Sequence, residues 1–201
     1  MKLLLEHDDH SRYLSDRVAE KPQKVLITSF GIYAGITYNG QDSTTWGDKY
    51  RLATRDLMEA MRTIPEVKIL IGVAEYKSCK NKNYCIDCEK QYVKNLLRLV
   101  FHTELFPEFE WRVSTDLHLK CALFYYDDII QGVAGGRNLT DSNWADITVV
   151  LDKKHAMELS QHSLNLWDKS SKLTDAAITD IFKSQYISDK TMESIATEAN
   201  R

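Results

Sequence analysis

Two continuous apolar runs constrain this chain most: "KVLITSFGIY", starting at Lys24, and "VKILIGV", starting at Val67. Neither alternates polar with apolar residues, so each suits a strand covered on both faces. Between them, "YNGQDSTTWG" carries the turn signal Asn39-Gly40. The stretch "DKYRLATRDLMEAMRTI" then sets Leu52, Leu57, Met58 and Met61 at near-helical spacing and stops before Pro65. A helix between two fully covered strands makes a β-α-β unit, with the strands parallel and the crossover right-handed.

"CEKQYVKNLLRLVFHTELF" reads as a second helix, with Tyr92, Leu96, Leu97 and Val100 on one face. "FEWRVS", "HLKCALFYYDD", "IIQGVAGGRN" and "DITVVLD" follow as short strands, and the remainder is mainly helical. The expected fold is α/β, an α-β-α sandwich around a mixed sheet with a helical C-terminal segment. At 201 residues one domain, 1–201, can bury a sizeable core. There is no internal repeat or low-complexity segment.

Composition narrows the partners. The formal net charge of -3 argues against sequence-blind coating of nucleic acid, while leaving room for a local basic cleft. "MKLLLEHDDH" has too short an apolar run for a signal peptide, and no stretch reaches the length of a membrane span. The expectation is a cytoplasmic protein with no membrane partner.

The segment "HLKCALFYYDDIIQGVAGGRNLTDSNWADITVVLD" places His118 and Lys120 two residues apart in a β-rich run. Ionisable groups beside a core are costly unless a ligand or reaction uses them. A hairpin centred on Asp128 would set His118 opposite Asn138 and Lys120 opposite Gly136, all on one face. An imidazole, an ammonium and a carboxamide would then surround a glycine that has no side chain, which is a pocket for an anion.

His118-x-Lys120, a strand, and then "GGRN" resemble the signature of the phospholipase D superfamily: His-x-Lys, an Asp, and Gly-Gly or Gly-Ser followed by any residue and Asn. Asp146 in "NLTDSNWAD" matches the acidic residue that follows the Asn, and the leading strands are similar too. The likeness covers about residues 24–152, leaving 153–201 as a helical C-terminal extension. One departure concerns the family's Asp, expected near Tyr125; here the aspartates are Asp127 and Asp128.

The resemblance implies a phosphodiesterase whose histidine attacks phosphorus without a catalytic metal or other cofactor, forming a phosphohistidine. Lys120 and Asn138 would hold the non-bridging oxygens, and Asp146 would complete the catalytic set. Gly135, Gly136 and Ser29, the last near the end of a buried strand, would line the substrate pocket. A second imidazole must protonate the leaving oxygen. A chain with a single motif therefore implies a homodimer, with His118 of each subunit facing across a twofold axis. The substrate expected is nucleic acid, DNA or RNA, because no amphipathic membrane-binding segment is evident. A phospholipase or other phosphodiesterase is the alternative within enzymes. A catalytically silent nucleic-acid-binding or regulatory module is the alternative outside them.

The remaining candidates are less specific. Cys79, Cys85 and Cys88 have spacing that lets thiolates converge on a structural zinc, with Asp87, His102 or a partner residue as fourth ligand. Reduced thiols or a disulfide are the other readings. Cys121 is expected in the core. His7, His10, His155 and His162 read as surface residues, and His102 as a cation suited to a helix C-terminus.

Overall fold

The computed structural model describes residues 2–4, 7–32, 34, 48–73, 86–115, 117–136, 147–174, 176–178 and 189–199. Eight strands form one sheet: β1 Lys2–Leu4, β2 Lys24–Ser29, β3 Glu66–Gly72, β4 Glu110–Ser114, β5 Cys121–Tyr125, β6 Ile130–Gly135, β7 Thr148–Val150 and β8 Ser171–Lys172. Their order across the sheet is β1-β7-β6-β5-β2-β3-β4-β8. β2, β3 and β4 run parallel, and every other pairing is antiparallel. The helices are α1 His7–Ala19, α2 Asp48–Met61, α3 Ile86–Leu105, α4 Lys153–Lys169 and α5 Asp189–Ala199, with a helical turn at 176–178.

The central strands are apolar throughout because helices cover both sides. Period-two alternation sends Val25, Ile27, Ile69, Ile71 and Phe124 to one face, against Leu14 and Val18 of α1, Met58 and Met61 of α2, and Leu96 and Leu99 of α3. It sends Leu26, Leu70 and Leu123 to the other face, against Trp167 of α4. Arg112 locks that helix on: its guanidinium lies 5.0 Å from the Trp167 ring and donates to the Trp167 carbonyl at 2.8 Å. Asp152 caps the start of α4 by accepting from the His155 N–H at 3.0 Å. α5 is tied to α3 by a buried hydrogen bond from the Thr191 hydroxyl to Glu89 at 2.7 Å.

The α/β expectation and the mixed sheet agree with this architecture. Three details differ. The buried face of α3 is Val93, Leu96 and Leu99, whereas Leu97 and Val100 are only partly covered, because the helix meets the sheet through the 93/96/99 stripe. Strands β1 and β8 are too short to show a period. The helix α1 carries too many charges for its apolar stripe, Leu14 and Val18, to stand out.

Candidate active site

The site assembles at the carboxyl ends of β2 and β3, where open α/β sheets expose the chain turns that follow their strands. β5 is antiparallel to β2, so the residues entering β5 arrive at that same edge. His118 and Lys120 lie in this entering stretch, ahead of the strand itself, which begins at Cys121. Gly72, the last residue of β3, makes the approach possible. A Cβ on it would stand 2.1 Å from the Leu117 carbonyl oxygen and 3.0 Å from the Phe30 ring. Only a residue without a side chain lets the backbone that leads into His118 cross there.

His118 is exposed and Lys120 is buried. The Lys120 ammonium lies 3.3 Å from His118 Nδ1 and 3.3 Å from the His118 carbonyl oxygen. An ammonium can only donate, so in this contact Nδ1 is the acceptor. Phe30 is the platform for both groups: its ring centroid is 4.7 Å from that of His118 at a 50° tilt, and 5.7 Å from Lys120 Nζ. Lys120 is therefore a buried cation with no carboxylate partner among the described residues.

The hairpin register differs by one residue from the centre on Asp128. Tyr125 pairs with Ile130 and Cys121 with Ala134, and the Tyr126 N–H donates to the Ile129 carbonyl at 2.9 Å. The turn is the two-residue pair Asp127-Asp128, the loop length that hairpins favour most. Lys120 therefore faces Gly135 rather than Gly136, and the Gly135 N–H donates to the Lys120 carbonyl at 3.1 Å. Gly136 leaves that pairing and donates to the Ile147 carbonyl at 3.2 Å. The anticipated glycine gap beside Lys120 is present, one position earlier.

A small pocket opens there, lined by Lys120, Gly135 and Thr148 with His10 and Leu14 from α1. Ser29 is fully buried, and its hydroxyl donates to the Gly31 carbonyl at 2.5 Å, closing the turn after β2. Asn138, Asp146, Cys79 and Cys85 lie outside the described residues, and Cys88 is described only as backbone in the first turn of α3. Among the described residues no group of His, Cys, Asp and Glu side chains could hold a metal ion.

The histidines separate sharply. His10 is buried rather than on the surface, because α1 packs across the sheet edge with that residue inward. His155 and His162 are exposed as expected, and the side chain of His7 is outside the described residues. His102 is not a solvated cation at a helix end. It is fully buried, with Nε2 accepting from the Ala34 N–H at 2.9 Å and Nδ1 2.5 Å from the Arg98 carbonyl. Burial pushes its pKa down to about 4, and the nearby Arg98 and Arg55 charges add to the effect, so the ring is neutral. Both ring nitrogens are committed to backbone, so in this arrangement His102 cannot act as the fourth zinc ligand.

Sequence reasoning reached His118, Lys120 and the glycine gap, but it missed Phe30, Gly72, His10 and Thr148. Phe30 and Gly72 stand where buried strands end, which is the only signal that could have marked them.

No family model matches the sequence, and no curated protein matches it. Solved structures do match. NucT from Helicobacter pylori aligns with a TM-score of 0.56 at 13% identity, over 86% of this chain and 98% of that one. Phosphatidylserine synthase from Haemophilus influenzae aligns at 0.60 and 14% identity over 98% of this chain, which spans only 44% of that protein's length. Nuc from Salmonella typhimurium, a phospholipase D family member, aligns at 0.49 and 12% identity over 87% of this chain and 99% of that one. The likeness is one of fold alone: a mixed sheet with helices on both faces.

Proposed function

We propose that this chain is a phosphodiesterase, and specifically a metal-independent nuclease that works through a phosphohistidine at His118. The observation that carries the reading is the exposed imidazole of His118 held 3.3 Å from a buried lysine ammonium that has no carboxylate partner among the described residues. A cation kept buried at a strand edge is costly unless an anion completes it. A phosphodiester is such an anion.

In the proposed reaction Lys120 turns from the ring to a non-bridging oxygen, which releases Nδ1 to take the ring's proton and leaves Nε2 with a free lone pair. Nε2 forms a bond to phosphorus as the bond to the leaving oxygen breaks, and a second imidazole gives that oxygen a proton. Water then attacks phosphorus as the second imidazole takes its proton and the P–N bond to Nε2 breaks, which yields a phosphomonoester, frees the ring and restores the acid. Lys120 and Asn138 stabilise the charge on the phosphoryl oxygens. The second imidazole would be His118 of the partner subunit in a homodimer. Nucleic acid is the substrate class proposed; no helix of the described residues is long and apolar enough to cross a membrane.

The test is to incubate purified protein with plasmid, single-stranded DNA, RNA, phosphatidylcholine vesicles and a simple aryl phosphodiester, with and without EDTA. Cleavage of nucleic acid and of the simple diester, unchanged by the chelator, is expected. Cleavage of lipid alone would move the assignment to a phospholipase. Binding of nucleic acid without cleavage would make the chain a silent module, and loss of activity in EDTA with the fold intact would exclude the proposed chemistry.

A further inference from the structure

Thr148 is 2% exposed, and its hydroxyl oxygen is buried with no hydrogen-bond partner among the described residues. An unpaired buried hydroxyl lowers stability, and valine has nearly the same shape without that cost. Packing alone gives no reason for threonine here.

Its position suggests one. Gly135 is bonded to the Lys120 carbonyl on one side and pairs with Thr148 on the other. Lys120, just ahead of β5, thus extends a row through Gly135 of β6 and Thr148 of β7, and side chains in such a row project from the same face. Leu4, opposite Thr148 on β1, sits in the core on that face and fixes its direction. The middle member of the row has no side chain. A Cβ on Gly135 would stand 2.3 Å from the Ile147 carbonyl oxygen and 2.8 Å from Thr148 Cα, so the chain entering β7 lies against this position and only glycine lets it approach. The pocket lies beside this close approach, lined by Lys120, Gly135 and Thr148 and walled by His10 from α1.

We infer that Thr148 is a substrate-positioning residue whose hydroxyl donates to a non-bridging oxygen of the phosphoryl group that Lys120 also holds, with the phosphorus seated over Gly135. The inference rests on the phosphodiesterase reading for its substrate, though not for the anion site itself. A lysine and a hydroxyl that line one pocket can bind two oxygens of one phosphate. Thr148 then trades stability for binding, as groups in binding sites commonly do.

The experiment uses the full chain with Thr148→Val, Thr148→Ser and Thr148→Ala, and measures binding of inorganic phosphate, turnover of a simple phosphodiester, and thermal stability. Losing one hydrogen bond to a charged oxygen lowers affinity and kcat roughly 10- to 100-fold. The Val variant is expected to show those losses while melting at or above the wild-type temperature, and the Ser variant to recover both functions. Should the Val chain fail to fold, the Ala variant carries the same expectation for binding and kcat. Phosphate affinity that is equal in wild type and Val, or absent from wild type, overturns the subsite, as does failure of Ser to restore it. Weakened phosphate binding in a chain that cleaves no substrate leaves the subsite standing and removes the nuclease reading instead.

Discussion

His102 and His118 are two imidazoles of one chain placed in opposite circumstances. His102 is fully buried at the end of α3, both of its nitrogens are tied to backbone, and burial holds it neutral with a pKa of about 4. It joins α3 to the chain at Ala34 and has no site left for chemistry. His118 stands exposed at the sheet's carboxyl edge, with one nitrogen facing a lysine and its ring against Phe30. A histidine whose hydrogen bonds are all satisfied internally is structural, whereas His118 stands exposed beside a cation with no carboxylate partner among the described residues. The contrast predicts that substitutions at the two positions separate function from stability.

The largest effect is expected at His118. His118→Ala should lower turnover by about 10⁴-fold or more, because the proposed nucleophile is lost, with little change in melting temperature. If the second imidazole comes from a partner subunit, as proposed, activity in refolded mixtures with wild type should fall roughly as the square of the wild-type fraction. A linear fall would show that each site is complete within one chain. Lys120→Ala comes next, with an expected loss of turnover of roughly 10²- to 10³-fold, the usual size for a positioned donor to a developing charge. If Lys120→Ala instead kept turnover and lost stability, the pair would be structural and the contrast with His102 would disappear.

At His102 the sign reverses. His102→Ala should cost about 2–4 kcal/mol of stability, from the cavity and the two lost hydrogen bonds, while turnover per folded molecule stays within a few-fold of wild type. The pH dependence at the same residue is of similar size. The ordinary value of 6.5 falls to about 4 in the folded chain. Between those values the unfolded state takes up a proton that the folded state refuses. Stability is therefore unaffected above about pH 6.5, declines by roughly 1.4 kcal/mol per pH unit as pH falls toward 4, and levels off below that. Denaturant titrations of wild type and His102→Ala from pH 7 to 4 should show that slope in the wild type only. An identical slope in both would assign the decline to other groups.

The sequence carries the two regions unequally. Strands β2 and β3 and helix α2 were legible because a strand buried on both faces is apolar throughout and a helix bears a stripe. His118 and Lys120 were legible because paired ionisable groups next to an apolar run are costly without a use. The hairpin register was not, since neighbouring aspartates at 127 and 128 fit either a one-residue or a two-residue centre, and hydrogen bonding between strands makes that choice. His102 was misread for a related reason. Its place near a helix end is local and visible, but its burial depends on Ala34, which is far away in sequence. Thr148 was invisible because its distinction, a hydroxyl left without a partner, exists only after three strands align.

The most direct measurement of the central claim is chemical trapping at His118. The protein is mixed with a phosphodiester carrying a labelled phosphoryl group, quenched in alkali, where phosphohistidine persists, and digested for mass spectrometry. A labelled phosphoryl adduct on the peptide containing His118, absent from His118→Ala and undiminished by EDTA, is the predicted result. Cleavage that proceeds with no adduct on His118, or with an adduct on another residue, would contradict the account.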